Sequence, residues 1–96
     1  MEKEKIYCFI NGKMALGYIV VALSESGIGL GSHCSSSVEF AKHDIGYENS
    51  DWKHDTYNKE YPNGWELIWV DNVENHAGLK LAIEKNKKLT ADSEGR

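Results

Sequence analysis

The first third of the chain has three short stretches that predict β-strands. Residues 5–10 (KIYCFI) and 17–23 (GYIVVAL) are rich in aromatic and β-branched side chains, and residues 28–34 (IGLGSHC) follow a SESG turn. Asn11-Gly12 is the strongest hairpin signal between the first two, because both central positions of that turn need positive φ. We therefore predict three consecutive strands, the first two joined by a hairpin at Asn11-Gly12.

The period of the apolar positions changes in residues 36–46. The apolar residues there recur at helical spacing: Val38, Ala41 and Ile45. Ser36 and Glu39 are three residues apart, which is the spacing of a capping box at a helix start. This part of the sequence predicts a short helix, followed by a second helix that begins near Ser50.

The second half predicts one more strand and a final helix. Residues 65–70 (WELIWV) alternate, with the two tryptophans and the leucine on one face. Residues 75–89 form an amphipathic helix whose inner side is Leu79, Ala82, Ile83, Asn86 and Leu89. Residues 90–96 (TADSEGR) are typical of a frayed tail. The order βββααβα predicts a single α+β domain over residues 1–89, in which an antiparallel sheet of about four strands is packed by two or three helices.

Two features of the predicted sheet need an explanation. Tyr18–Leu23 has no polar face, so either the helices cover both of its faces or a second copy does, and we expect a homo-oligomer. Gly27, Gly29 and Gly31 alternate, which leaves one face of the third strand without side chains. A bulge, a closely packed helix or a flat ligand would each account for this bare face.

Composition and charge exclude several classes of protein. The chain has 96 residues, of which 41% are hydrophobic, enough for one domain with a core. The longest apolar run is too short to span a membrane, and we expect no secretory signal. The two cysteines show no spacing typical of disulfides or zinc, so we expect a cytoplasmic protein. A net charge of −4 with scattered lysines argues against binding to long nucleic acid.

The most distinctive stretch is residues 31–37 (GSHCSSS). Serines at a strand-to-helix junction place hydroxyl groups beside the free N–H groups and the positive dipole end of the helix, which suits an anion. The alternative is that one serine caps the helix and the others face solvent. Residues 47–65 add aromatic rings without an apolar stripe, and one ring could stack on a nucleotide base. The candidate ligand-binding residues are His33, Ser35, Ser36, Ser37, Lys42, Trp52, Lys53 and Tyr57.

Spacing disfavours catalysis and metal binding. His33 and Cys34 are neighbours in a predicted strand, so their side chains point to opposite faces and are poorly placed to act as base and nucleophile. The histidines do not form the i,i+3 or i,i+4 pairs that a metal site on a helix would favour. We expect no catalytic residue, no metal and no cofactor. A small hydrolase built on Cys34 or a histidine is the least favoured alternative.

Three stretches together resemble small uncharacterised proteins that bacteriophages and prophages encode: SHCSSSVEFAKHDIG, SDWKHDTY and YPNGWELIWV. The resemblance implies a counter-defence factor in the host cytoplasm. One such function is that of a non-enzymatic, oligomeric protein that sequesters a small anionic, nucleotide-like defence signal. The alternative function is that of a protein that inhibits a host defence effector through an acidic, aromatic surface.

Overall fold

The computed structural model describes residues 3–41 and 57–94. Its strands are β1 (Glu4–Met14), β2 (Gly17–Ser24), β3 (Gly29–Ser35) and β4 (Trp65–Val70). Its helices are α1 (Val38–Ala41) and α2 (Ala77–Glu94); residues 57–60 are also helical, and a 3-10 turn (Val73–Asn75) precedes α2. These elements confirm the predicted α+β class.

The sheet is mixed, with the strand order β3-β2-β1-β4. β2 pairs antiparallel with both β1 and β3, whereas β4 pairs parallel with β1. The prediction of an antiparallel sheet is therefore wrong for β4. Since β3 also runs in the direction of β1, the chain must cross from one edge of the sheet to the other between two strands of the same direction. Residues 36–64 are long enough for such a crossover.

The chain reverses at Ala15-Leu16, so the predicted hairpin at Asn11-Gly12 is wrong. β1 continues through Asn11, which is the extra residue of a β-bulge where the register shifts. A two-residue turn at Asn11-Gly12 would have left the apolar residues 20–23 beyond the start of β1. The observed register pairs residues 20–23 with residues 7–10 instead. Pairing of the apolar run thus outweighs the local turn preference.

Different elements cover the two faces of the sheet. On one face, Tyr57 of the helical turn and Ala41 of α1 pack against the cluster around Ile6, Cys8 and Val20. The other face carries the side chains that contact α2: Tyr7, Phe9, Leu23 and Val70, packed with Leu79 and Ala82. Within a single chain, Tyr18–Leu23 is buried or half-buried. The sheet therefore needs no second copy to cover this strand, and the homo-oligomer stays a prediction.

Close packing and a bulge explain the alternating glycines. Gly27 has φ 91°, and a Cβ at this position would lie 2.7 Å from the Cβ of Lys85 in α2. Asn86 Nδ2 donates a hydrogen bond of 2.8 Å to the carbonyl of Gly27, which fixes α2 against the β2–β3 turn. Between Ala22 and Leu23, the register of β2 with β3 shifts by one residue. These two features account for the bare face without a ligand.

The final helix begins and ends later than predicted. His76 precedes it, and the Nδ1 atom of His76 accepts a hydrogen bond of 3.1 Å from the backbone N–H of Leu79, which caps the first turn. The helix continues to Glu94, so residues 90–94, which the composition predicts to be frayed, are helical. Leu89 is 51% exposed and lies outside the core. No helix among the described residues is long and apolar enough to cross a membrane.

Gly17 provides a test of the close approach between β2 and the end of β3. A Cβ at Gly17 would collide with the carbonyl oxygen of Ser35, whereas a Cβ at Gly12 would meet only Ile19 Cδ1 at 3.7 Å. We expect Gly17→Ala to lower the free energy of unfolding by about 1–3 kcal/mol. Gly12→Ala is the matched control and should change it by less than about 1 kcal/mol. Urea unfolding measures both, and equal losses would contradict the close approach.

Candidate functional site

The end of β3, the start of α1 and the β1–β2 turn meet at one end of the sheet. Ser35 pairs with Tyr18, close to that turn. A Cβ at Gly17 would lie 3.3 Å from the Cα of Ser36, so the two segments are in contact. We call the exposed residues here the strand-end surface: Met14, Leu16, Cys34, Ser36 and Phe40.

The three serines have three different environments. Ser35 is the last residue of β3 and is buried. Ser37 is the N-cap of α1, because its hydroxyl accepts the N–H of Phe40 at 3.2 Å and its carbonyl accepts the N–H of Ala41 at 3.0 Å. Ser36 is the exposed one of the three.

The predicted capping box of Ser36 and Glu39 is therefore wrong by one residue. The sequence pattern predicts that the third strand ends at Cys34, but β3 remains paired with β2 through Ser35. The chain leaves the sheet one residue later, and the cap moves from Ser36 to Ser37. Glu39 then falls at the second helical position, one short of the position that completes a capping box.

Cys34 is exposed, and its thiol contacts another sulfur. The distance from Cys34 Sγ to Met14 Sδ is 3.8 Å, measured across β2. A thioether does not remove the thiol proton, so this contact does not create a nucleophile. His76 is engaged elsewhere, as the cap of α2 and in an edge-on contact with the Tyr7 ring at 5.0 Å between centroids.

Tyr57 lies in the core, where a stacking ligand would not reach its ring. It is fully buried, and the Trp65 ring packs edge-on against it at 5.0 Å between centroids. Burial, and then the neighbouring Cys8, raise the pKa of the Tyr57 phenol well above its usual value. The Trp65 ring is also held by a hydrogen bond, since its Nε1 donates to Asn58 Oδ1 at 2.7 Å. Tyr57 therefore does not present its ring for the predicted stacking on a ligand.

Four of the candidate ligand-binding residues are not placed relative to the serines. Lys42, Trp52 and Lys53 lie outside the described residues, as does the side chain of His33. The backbone of His33, in the edge strand β3, pairs with Val20 of β2. The structure therefore brings together Ser35, Ser36 and Ser37 and separates Tyr57 from them.

A separate groove has balanced charges. Its volume is about 310 Å³, and its walls carry Lys3, Lys5, Glu25 and Glu66. Two ammonium and two carboxylate groups give no net attraction for an anion. Within residues 3–41 and 57–94, no three His, Cys, Asp or Glu side chains gather into a metal site.

Sequence reasoning missed the apolar part of the strand-end surface. Leu16 is 90% exposed, Phe40 62% and Met14 53%. Phe40 gave a readable signal, because it lies off the stripe that Val38 and Ala41 define in the predicted helix. Leu16 gave no such signal, because the sequence predicts the turn at Asn11-Gly12 and places Leu16 outside it.

Comparison with protein families, curated proteins and solved structures found no match. The geometry of the chain itself is therefore the basis on which a function can be assigned.

The cap at Ser37 is directly testable. Ser37→Ala should lower the free energy of unfolding by about 0.5–2 kcal/mol, because the N–H of Phe40 loses its acceptor. Ser37→Asp keeps an acceptor and should retain most of the stability. Ser36→Ala is the matched control, with an expected change within about 0.5 kcal/mol. A larger loss for Ser36→Ala than for Ser37→Ala in urea unfolding would overturn the assignment.

The buried Tyr57 predicts a loss of stability in alkali. The pKa of the Tyr57 phenol is raised in the folded chain. Its contribution to the free energy of unfolding is therefore complete below the phenol's unfolded pKa of about 10 and is lost as the pH rises above that value. The expected slope from this one group is about 1.4 kcal/mol per pH unit. Tyr57→Phe should flatten the slope, whereas Tyr61→Phe, whose ring is only partly buried, should flatten it less. Urea unfolding at a series of alkaline pH values measures the slopes, and an unchanged slope in Tyr57→Phe would contradict a raised pKa for this phenol.

Proposed function

We propose that this chain is a non-enzymatic binding protein that contacts a protein partner through the strand-end surface. The observation that carries the proposal is the exposure of Leu16, Phe40 and Met14 at one end of the sheet. Several large apolar side chains exposed near one end of a sheet favour a protein contact there. The sheet that carries these residues has both faces of β2 packed within the chain.

The charge around this surface favours a protein over a small anion. Glu39 is exposed in α1, beside the serines, and contributes negative charge. Lys13 is the nearest described lysine along the chain, and its Nζ lies 5.4 Å from the centroid of the Tyr18 ring. Of Ser35, Ser36 and Ser37, only Ser36 presents its hydroxyl to an anion, because Ser35 is buried and Ser37 caps α1. Apolar contacts therefore dominate what this surface offers.

The resemblance to phage proteins supplies the class of partner. It makes a host defence effector, met in the host cytoplasm, the partner that this proposal favours. The inhibitory contact would then be apolar, through Leu16 and Phe40. This differs from the acidic, aromatic surface that the sequence predicts, since Tyr57 and Trp65 are engaged in the core.

A small anionic, nucleotide-like ligand is the second candidate. Ser36, just before the N-cap of α1, and Phe40, in α1, are both exposed and are four residues apart in the sequence. Such a pair could hold a phosphate and stack on a base. The ring would be Phe40, in the role first given to Tyr57 or Trp52.

Paired variants separate the two candidates. Leu16→Asp and Phe40→Asp place a charge in the proposed contact and should weaken capture of the partner from a host lysate by tenfold or more. Leu81→Asp is the matched control, because Leu81 in α2 is 57% exposed and lies outside the strand-end surface. Its capture should equal that of the wild type, and all three variants should keep the wild-type melting temperature.

Two outcomes would count against the protein partner. Equal capture by Leu16→Asp and the wild type would remove the strand-end surface as the contact. Retention of a nucleotide in native mass spectrometry, with loss of that nucleotide in Ser36→Ala, would place the second candidate first. The same spectra report the subunit count and so test the predicted homo-oligomer.

A further inference from the structure

The two sulfur atoms on the strand-end surface come from strands that do not pair with each other. Met14 ends β1 and Cys34 lies near the end of β3, with β2 between them. In β2, Met14 pairs with Gly17, which has no side chain, and Cys34 pairs with Ile19 two residues further along. The separation of 3.8 Å between the two sulfurs is therefore a product of the sheet register.

We propose that Met14 and Cys34 bind one soft, monovalent metal ion of the Cu(I) class. Thiolate and thioether are the ligands that such ions prefer, and hard divalent ions avoid them. Binding replaces the proton of the Cys34 thiol, which passes to solvent, and no electron is transferred. The proposal does not depend on the protein partner described above.

The distance between the sulfurs fits joint coordination. Two metal–sulfur bonds of ~2.3 Å that span this separation would meet at roughly 110°. That angle leaves the outer side of the ion open. Both side chains are exposed, so the ion can enter and a third ligand, such as a small-molecule thiol, can complete the coordination.

The scaffold favours a single ion in this place. Cys8 is the other cysteine of the chain, and it is fully buried beneath Tyr57 and its neighbours. Pairing of β2 with both β1 and β3 holds the two sulfur-bearing strands at a fixed separation. Since this end of the sheet offers one such pair of sulfur ligands, one ion per chain is expected.

Anaerobic titration with Cu(I) against a colorimetric Cu(I) chelator tests the site. The wild type should take up one ion per chain. Met14→Leu keeps the apolar surface but removes one sulfur, and it should weaken Cu(I) binding by tenfold or more. Cys34→Ser should abolish binding at the same chelator concentration. Both positions are exposed, and equal melting temperatures would show that the variants remain folded.

A spectroscopic measurement distinguishes this site from a cysteine that binds alone. One equivalent of Ag(I), which does not change oxidation state, should shift the Met14 methyl resonance and leave that of Met1 in place. An unmoved Met14 resonance, or equal Cu(I) affinity in Met14→Leu and the wild type, would overturn the proposal. Leu16→Asp should retain Cu(I) binding, so failure of the protein contact and failure of the metal site are separable.

Discussion

The fold depends on giving the apolar strand β2 a partner on each side and a cover on each face. Residues 20–23 have no polar side chain, and leaving them unpaired would expose both backbone hydrogen-bonding groups and apolar surface. β1 and β3 satisfy the backbone, and the two core clusters cover the faces. The position of the turn, the bulge at Asn11 and the bulge next to Ala22 all follow from this requirement.

Local sequence signals predict an element correctly where strand pairing and packing favour the same structure as the local preference. The bounds of β4 were predicted correctly, because alternation and a flanking Gly64 both indicated a half-buried strand. The turn was misplaced because Asn11-Gly12 satisfies the local rule for a hairpin while conflicting with the pairing of β2. The direction of β4 could not be read, since a connection as long as residues 36–64 permits either direction.

The sequence predicts correctly that the serines lie at a strand-to-helix junction, but it assigns the cap to the wrong serine. Serines at a strand-to-helix junction signalled a cap, and Ser37 fills that role. The residue at which β3 ends decides which serine caps α1. Because β3 ends at Ser35 rather than Cys34, the cap is Ser37 rather than Ser36. The burial of Tyr57 had no local signal, because its helical turn packs on strands far away in the sequence.

The exposure of Leu16 is the strongest support for the binding role proposed for this end of the molecule. A turn residue that is almost fully exposed contributes little to the core, so folding alone gives no reason for leucine there. One exposed leucine would need no explanation, but Phe40 and Met14, which lie near the same end of the sheet, are exposed as well. Neither the cap at Ser37 nor the close contact at Gly17 requires these three side chains to be apolar. Under the proposed function, stability and binding therefore depend on different residues at this end: glycine and serine position the backbone, and the exposed apolar side chains would make the contact.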